Sequence, residues 1–141
     1  VTLYIVEEKA MEQVIVADVD ALSQEINLTG KATVHGIYFD TGQAKVKAES
    51  EPALAEVEKL LVKYPDMKIF VVGHTDSVGD FDYNLDLSQR RAAAVVEVLV
   101  LQHHVERSRL EPHGVGPLVP VSANTSEEGR AKNRRVEIVE R

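Results

Sequence analysis

Residues 67–101, MKIFVVGHTDSVGDFDYNLDLSQRRAAAVVEVLVL, constrain the fold more than any other stretch. Met67 to Val72 is a short, near-continuous apolar run rich in β-branched residues. It reads as a strand at the centre of a sheet, covered on both faces. Mostly polar residues 74–87 follow, and Asp86 or Asn84 is placed to cap a long apolar helix reaching about His104. The same order occurs upstream. ATVHGIYFD, Ala32 to Asp40, reads as a buried strand and TGQAKVKAES as a loop. Ser50, with Pro52 in the first turn, opens a helix there. Leu54, Val57, Leu60 and Leu61 form its inward stripe, and Tyr64-Pro65 ends it. Downstream, RLEPHGVG reads as a short strand and PLVPVSAN as a proline-rich loop. Thr125 with Glu128 forms a capping box for one helical turn, and RRVEIVE closes the chain as a strand. Strands alternating with helices of this length imply at least partly parallel pairing through right-handed crossovers. In such sheets ligands sit at the carboxyl ends of the strands. FDTG and GHTDS are therefore expected on one edge.

Ahead of this pattern, Thr2 to Val6 and Val14 to Val16 read as short strands. Asp18 or Asp20 caps a helix with Val19, Leu22 and Ile26 at helical spacing, which stops before Thr29-Gly30. At 141 residues the chain is long enough for one core. A net charge of −7 argues against a nucleic-acid backbone or an anionic lipid surface as partner. No stretch reaches the ~18 to 20 apolar residues of a membrane span, so the domain itself is not expected to cross one. Cysteine is absent, which excludes disulfides, thiol nucleophiles and cysteine-based zinc sites. The sequence begins at Val1 rather than Met, which reads as a fragment or a processed product.

The charged loop and the two arginines carry the functional signal. On a helix, Arg91 shares a face with Leu87, Val95 and Val98, the side turned to the sheet. Arg90 shares the opposite face with Asp86 and Glu97. Arg91 is thus a cation on an inward edge, where loss of its partner would cost roughly 3 to 5 kcal/mol. One solution is a structural ion pair with Asp76 or Asp40. The other is a ligand carboxylate, which the planar guanidinium grips with two prongs. Asp76 would then serve a ligand ammonium, and the cleft would receive an amino-acid centre.

GIYFD, VVGHTDSVG, NLDLSQRRAAAV, RLEPHGVG and EEGRAKNRRVEI, in this order and at these distances, resemble the OmpA-like peptidoglycan-binding domain, also found in Pal lipoproteins and flagellar-motor stator proteins. The likeness runs from about Ala32 to Arg141. It divides the chain into an N-terminal extension, residues 1–30, and an OmpA-like domain, residues 31–141. The implied fold is α+β: a βαβαβ sandwich with a mixed parallel and antiparallel sheet and helices packed on one face. The implied function is non-catalytic binding of diaminopimelate in the stem peptides of peptidoglycan. That ligand needs no cofactor and no metal. The implied location is the periplasm of a Gram-negative bacterium, with the parent protein tethered to the outer membrane or an envelope complex. By position, Asp76 and Arg91 would clamp the ammonium and carboxylate of the diaminopimelate D-centre. The resemblance places Phe39, Asp40, Thr41, Asn84 and Leu87 around the pocket. It has Asn133, Arg134 and Arg135 bracing the loops, with Arg134 facing the site. Val115 stands where the family often has an aromatic residue, and Ala48 where a proline is frequent.

Other chemistries fit the same residues less well. His74 and Asp76 at the end of a strand need further ligands to hold a metal, and His103-His104 lie at the far end of a helix. Asp80 and Asp82 lack the spacing of a calcium loop. Asp40 and Asp76 could form a glycosidase pair only if one carboxyl were strongly desolvated. Ser77 and Ser88 lack the nucleophile-elbow frame. The main rival is a protein–protein interaction module in which Asp76 and Arg91 form an internal ion pair.

Overall fold

Asp18, itself extended, turns its carboxylate back over the next residues, accepting from the amides of Asp20 at 2.7 Å and Ala21 at 3.4 Å. That cap starts helix α1, Val19–Thr29. Gly30, at φ +85°, ends the helix by donating its N–H to the Ile26 carbonyl. The structure is a computed structural model and describes residues 17–141. The strands expected at residues 2–6 and 14–16 lie outside the described residues. Beyond α1 the chain forms β1 (Lys31–Thr33), a 3-10 turn (Ala48–Ser50) and α2 (Glu51–Lys63). Next come β2 (Ile69–His74), α3 (Phe81–Leu101) and a second 3-10 turn (Arg107–Arg109). The chain closes with β3 (Leu110–Gly114), α4 (Glu127–Asn133) and β4 (Arg135–Glu140).

The described strands form one sheet in the order β1-β4-β2-β3. β2 and β3, joined through α3, pair in parallel with Ile69 opposite Leu110. β4 slots antiparallel between β1 and β2, with Ile138 facing both Ala32 and Val71. The α+β, mixed-sheet expectation therefore holds. β1 and β2 point the same way, so their carboxyl ends share one edge with the start of β4.

Leu22 and Ile26 of α1, Leu54, Val57 and Leu60 of α2, and Val95 and Leu99 of α3 close over Ile69, Val71, Val136 and Ile138 as one core. Each fully buried aliphatic side chain contributes about 1.5–3 kcal/mol. The helix before residue 31 thus shares the core of the sheet. α3 lies unusually close to the strand ends. A Cβ at Gly73 would stand 2.3 Å from the Ser88 carbonyl oxygen, and one at Gly114 would stand 2.1 Å from the Gln89 nitrogen. Two facing glycines therefore let the start of α3 settle onto the edge where ligands are expected. Among the described residues, no helix is long and apolar enough to cross a membrane.

Five local expectations need correction. The first strand ends at Thr33, not Asp40. Gly36, at φ +96°, turns the chain out of the ladder, and the Tyr38 amide is satisfied by Ser50 Oγ at 2.8 Å. Ser50 is consequently spent on that loop and makes no side-chain cap to α2. α3 is capped by Asp80, whose Oδ2 accepts from Tyr83 N at 3.1 Å, and ends at Leu101. Residues 81–86, including Asn84 and Asp86, are thus its first turns rather than loop. α4 is capped by Ser126 and not by a Thr125–Glu128 box. Finally, β2 is fully covered on one face only. Ile69 and Val71 are buried, whereas Phe70 and Val72 are half-buried. Phe70 lies under the Arg141 guanidinium and edge-on to His113.

Candidate functional site

The edge shared by the ends of β1 and β2 and the start of β4 holds a cleft of about 1600 Å³. Its walls include Phe39, Thr41, Asp76, Tyr83, Asn84, Leu87, Arg91 and Arg134. Of the residues that the resemblance places at the pocket, only Asp40 does not line it. The Asp40 carboxylate turns away to Lys47 at 3.2 Å and is largely exposed, while its carbonyl oxygen faces Arg91.

Arg91 forms the cationic pole. The third turn of α3 carries it under the loop that follows β1. There Nε donates to the Gln43 carbonyl at 2.8 Å and Nη2 to the Asp40 carbonyl at 3.1 Å. The guanidinium lies over the Phe39 ring, 4.8 Å from its centroid. Burial, with Arg134 and Arg90 nearby, lowers its pKa against the opposing influence of Tyr83 and Asp76. An arginine remains charged through such a shift. Among the described residues no carboxylate pairs with it, so its charge is met only by carbonyl dipoles and a π face. Arg90 faces solvent and pairs with Asp86 at 2.8 Å. Helical periodicity had separated the two in this way.

Asp76 forms the anionic pole, on the loop directly after β2. Its Oδ1 accepts from Val78 N at 3.0 Å and its Oδ2 from Arg134 Nη1 at 2.7 Å. With its side chain 14 % exposed, it presents a small open surface to the cleft. The other face of Arg134 holds Glu127, Nη2 to Oε2, at 2.6 Å. These two carboxylates raise the Arg134 pKa, Glu127 more than Asp76. Neither partner proposed for Arg91 is realised: Asp76 pairs with Arg134, and Asp40 with Lys47.

Side chains around the poles fix the loops. Asn84 is buried and donates from Nδ2 to the Val78 carbonyl at 2.9 Å. Leu87, 5 % exposed, gives an apolar patch of wall. Asn133 is fully buried and accepts from the amides of Val121 and Ser122 while donating to Ser122 O and Asn124 Oδ1. Arg135 reaches Glu137, Asn133 O and Val119 O. Beneath this edge, Glu137 is buried between Arg135 Nε at 2.8 Å, Lys31 Nζ at 3.3 Å and His74 Nε2 at 3.4 Å. Burial pushes its carboxyl up, but His74 and Arg135 outweigh that and hold it at about 2. His74 is thus a buried neighbour of Glu137. His103 lies elsewhere, between Glu51 and Glu58. No cluster of three potential metal ligands occurs among the described residues.

Three contributors escaped the sequence reading. Gln43 acts through its carbonyl, which no side-chain pattern reveals. Tyr83 lies one turn before Leu87 on α3, a spacing that could have exposed it. Glu127 opens α4 and meets Arg134 just past its end, seven residues on, a contact that i, i+4 spacing does not predict.

A mixed sheet packed with helices, and a cleft at the strand ends walled by opposite charges, defines a small α+β domain. The chain belongs to the OmpA family, whose family model matches residues 38–134. It is 40% identical over 104 residues to the probable lipoprotein YiaD of Escherichia coli K12, a match covering 74% of this chain and 47% of that protein. The chain thus spans about half or less of the curated relatives it matches. Among solved structures it is similar to the peptidoglycan-associated lipoprotein from Burkholderia pseudomallei, with a TM-score of 0.67 and 32% identity over 74% of this chain and 88% of that one. The cell wall anchor of the T6SS from Pseudomonas aeruginosa matches with a TM-score of 0.64 and 29% identity, over 85% of this chain and 93% of that one.

Proposed function

We propose that the cleft binds the diaminopimelate residue of peptidoglycan stem peptides and so anchors the outer envelope, or an envelope machine, to the cell wall. The observation that carries this reading is Arg91: a half-buried guanidinium in the cleft wall that no carboxylate of the described chain neutralises. A ligand carboxylate supplies the missing charge, and Asp76 receives the ammonium of the same amino-acid centre. Phe39, Thr41, Asn84 and Leu87 form the walls, and Asp40 contributes through its carbonyl. The names of the Burkholderia and Pseudomonas neighbours point the same way. The rival reading, a protein-interaction module with a structural Asp76–Arg91 pair, loses its premise because Asp76 pairs with Arg134.

The binding unit is residues 31–141, with residues 1–30 as an N-terminal extension, and the setting is the periplasm of a Gram-negative bacterium. The role is adhesive and involves no bond breaking. Each charge contact open to water contributes about 0 to 1 kcal/mol, more where the cleft excludes water. Weak single-site binding suffices because the wall presents the same stem repeatedly, and a tethered protein meets it at high effective concentration. Calorimetry with a soluble muropeptide carrying meso-diaminopimelate tests the reading. Binding is expected for the wild type and lost in Asp76→Ala and Arg91→Ala variants that retain their folded circular dichroism. Undiminished binding in both variants would sink the proposal.

A further inference from the structure

The anionic pole of the cleft is already occupied by a cation. Arg134 Nη1 stands 2.7 Å from Asp76 Oδ2, while Nη2 of the same guanidinium stands 2.6 Å from Glu127 Oε2. Among the described residues the cationic pole has no such occupant, since Arg91 is met by two carbonyls and a ring. The two ends of the cleft are therefore unequal: one offers an unmatched charge, the other a matched one.

We infer that Arg134 is a specificity-determining residue, a built-in counter-ion on Asp76 that admits a zwitterionic amino-acid centre and rejects a lone ammonium. This rests on the proposed reading of the cleft and concerns how that cleft chooses its ligand. A ligand carrying only an ammonium replaces one cation on Asp76 by another and gains little. It also meets repulsion, because the displaced Arg134 stays in the same corner, held by Glu127. Arg91 gains nothing from such a ligand. A zwitterion undergoes the same exchange at Asp76 but adds a two-pronged carboxylate contact at Arg91, which drives the exchange forward. Glu127 is the second seat that lets Arg134 yield. It is 67 % exposed and also touches Arg130 Nε at 3.4 Å. The high proton affinity of Arg134, raised by both carboxylates, keeps the counter-ion charged at all relevant pH. Selectivity thus comes from what the ligand must displace as well as from what it touches.

Two muropeptides test this, one carrying meso-diaminopimelate and one carrying L-lysine, whose side chain ends in an ammonium alone. The wild type is expected to prefer the first. Arg134→Gln empties the ammonium pole, so affinity for the lysine peptide is expected to rise about three- to tenfold and the preference to shrink. Glu127→Gln removes the second seat and leaves Arg134 fixed on Asp76, so affinity for the diaminopimelate peptide is expected to fall. Both side chains are at least one-third exposed, and thermal melts of both variants verify folding. An unchanged preference in Arg134→Gln, or weaker binding of the diaminopimelate peptide with the lysine peptide still excluded, would overturn the inference while leaving the clamp intact. A wild type that binds neither peptide would overturn both.

Discussion

Glu137→Gln isolates the energetics of the buried charge cluster that holds the strand ends under the cleft. Glu137 is 4 % exposed, and its carboxyl is held at about 2 against an ordinary 4.5. A depressed carboxyl stabilises the fold fully above its unfolded value and loses that contribution as pH falls through the folded value. The difference between 4.5 and about 2 corresponds to about 3 kcal/mol at neutral pH. Glutamine has the shape of the protonated acid, so at this one position the variant stands in for a wild type whose Glu137 alone is protonated. Urea unfolding of both proteins between pH 2 and pH 7 measures this directly. The stability gap is expected to be about 3 kcal/mol above pH 5 and to close as pH falls from about 4.5 toward 2. Glu97, Glu111 and Glu127 also have lowered pKa values, but they titrate in both proteins and cancel in the difference. A gap that stays constant with pH would show that the substitution acts through packing, and would refute the assignment of the stabilisation to ionised Glu137.

Two further substitutions probe how the site is held. Gly73→Ala would push a Cβ to 2.3 Å from the Ser88 carbonyl oxygen. Separating β2 from α3 is expected to cost about 1–3 kcal/mol, a fall of roughly 3–10 °C in Tm by calorimetry, and to weaken muropeptide binding because α3 carries Arg91. Asn133→Ala removes the side chain that accepts from the Val121 and Ser122 amides and donates to Ser122 O and Asn124 Oδ1. A loss of about 3 kcal/mol in urea unfolding is expected, with faster amide exchange at Val121 and Ser122.

What could be read in advance followed from periodicity. α2 shows its stripe of Leu54, Val57, Leu60 and Leu61, and β4 buries the alternating Val136 and Ile138, as their patterns require. Arg91 was separable from Arg90 because 3.6-residue spacing assigns each to a face. Three features escaped that reading. β1 stops early because Ser50 captures the Tyr38 amide from twelve residues away. α3 begins at Phe81 because Asp80 caps it, although its opening turns are too polar to look like helix. The pairing of Asp76 with Arg134 joins residues far apart in sequence through the antiparallel return of β4, whose register only the folded sheet reveals.

The bonds that seat Arg91 have an evolutionary corollary. Its guanidinium is gripped by the peptide oxygens at positions 40 and 43, which every amino acid possesses. Mutation can therefore rewrite the side chains at positions 40 and 43 without disturbing the seat of Arg91, provided the count of residues stays fixed. Adding or deleting a single residue between them would misplace the pair of oxygens, so those two positions should vary in composition while the turn keeps its length.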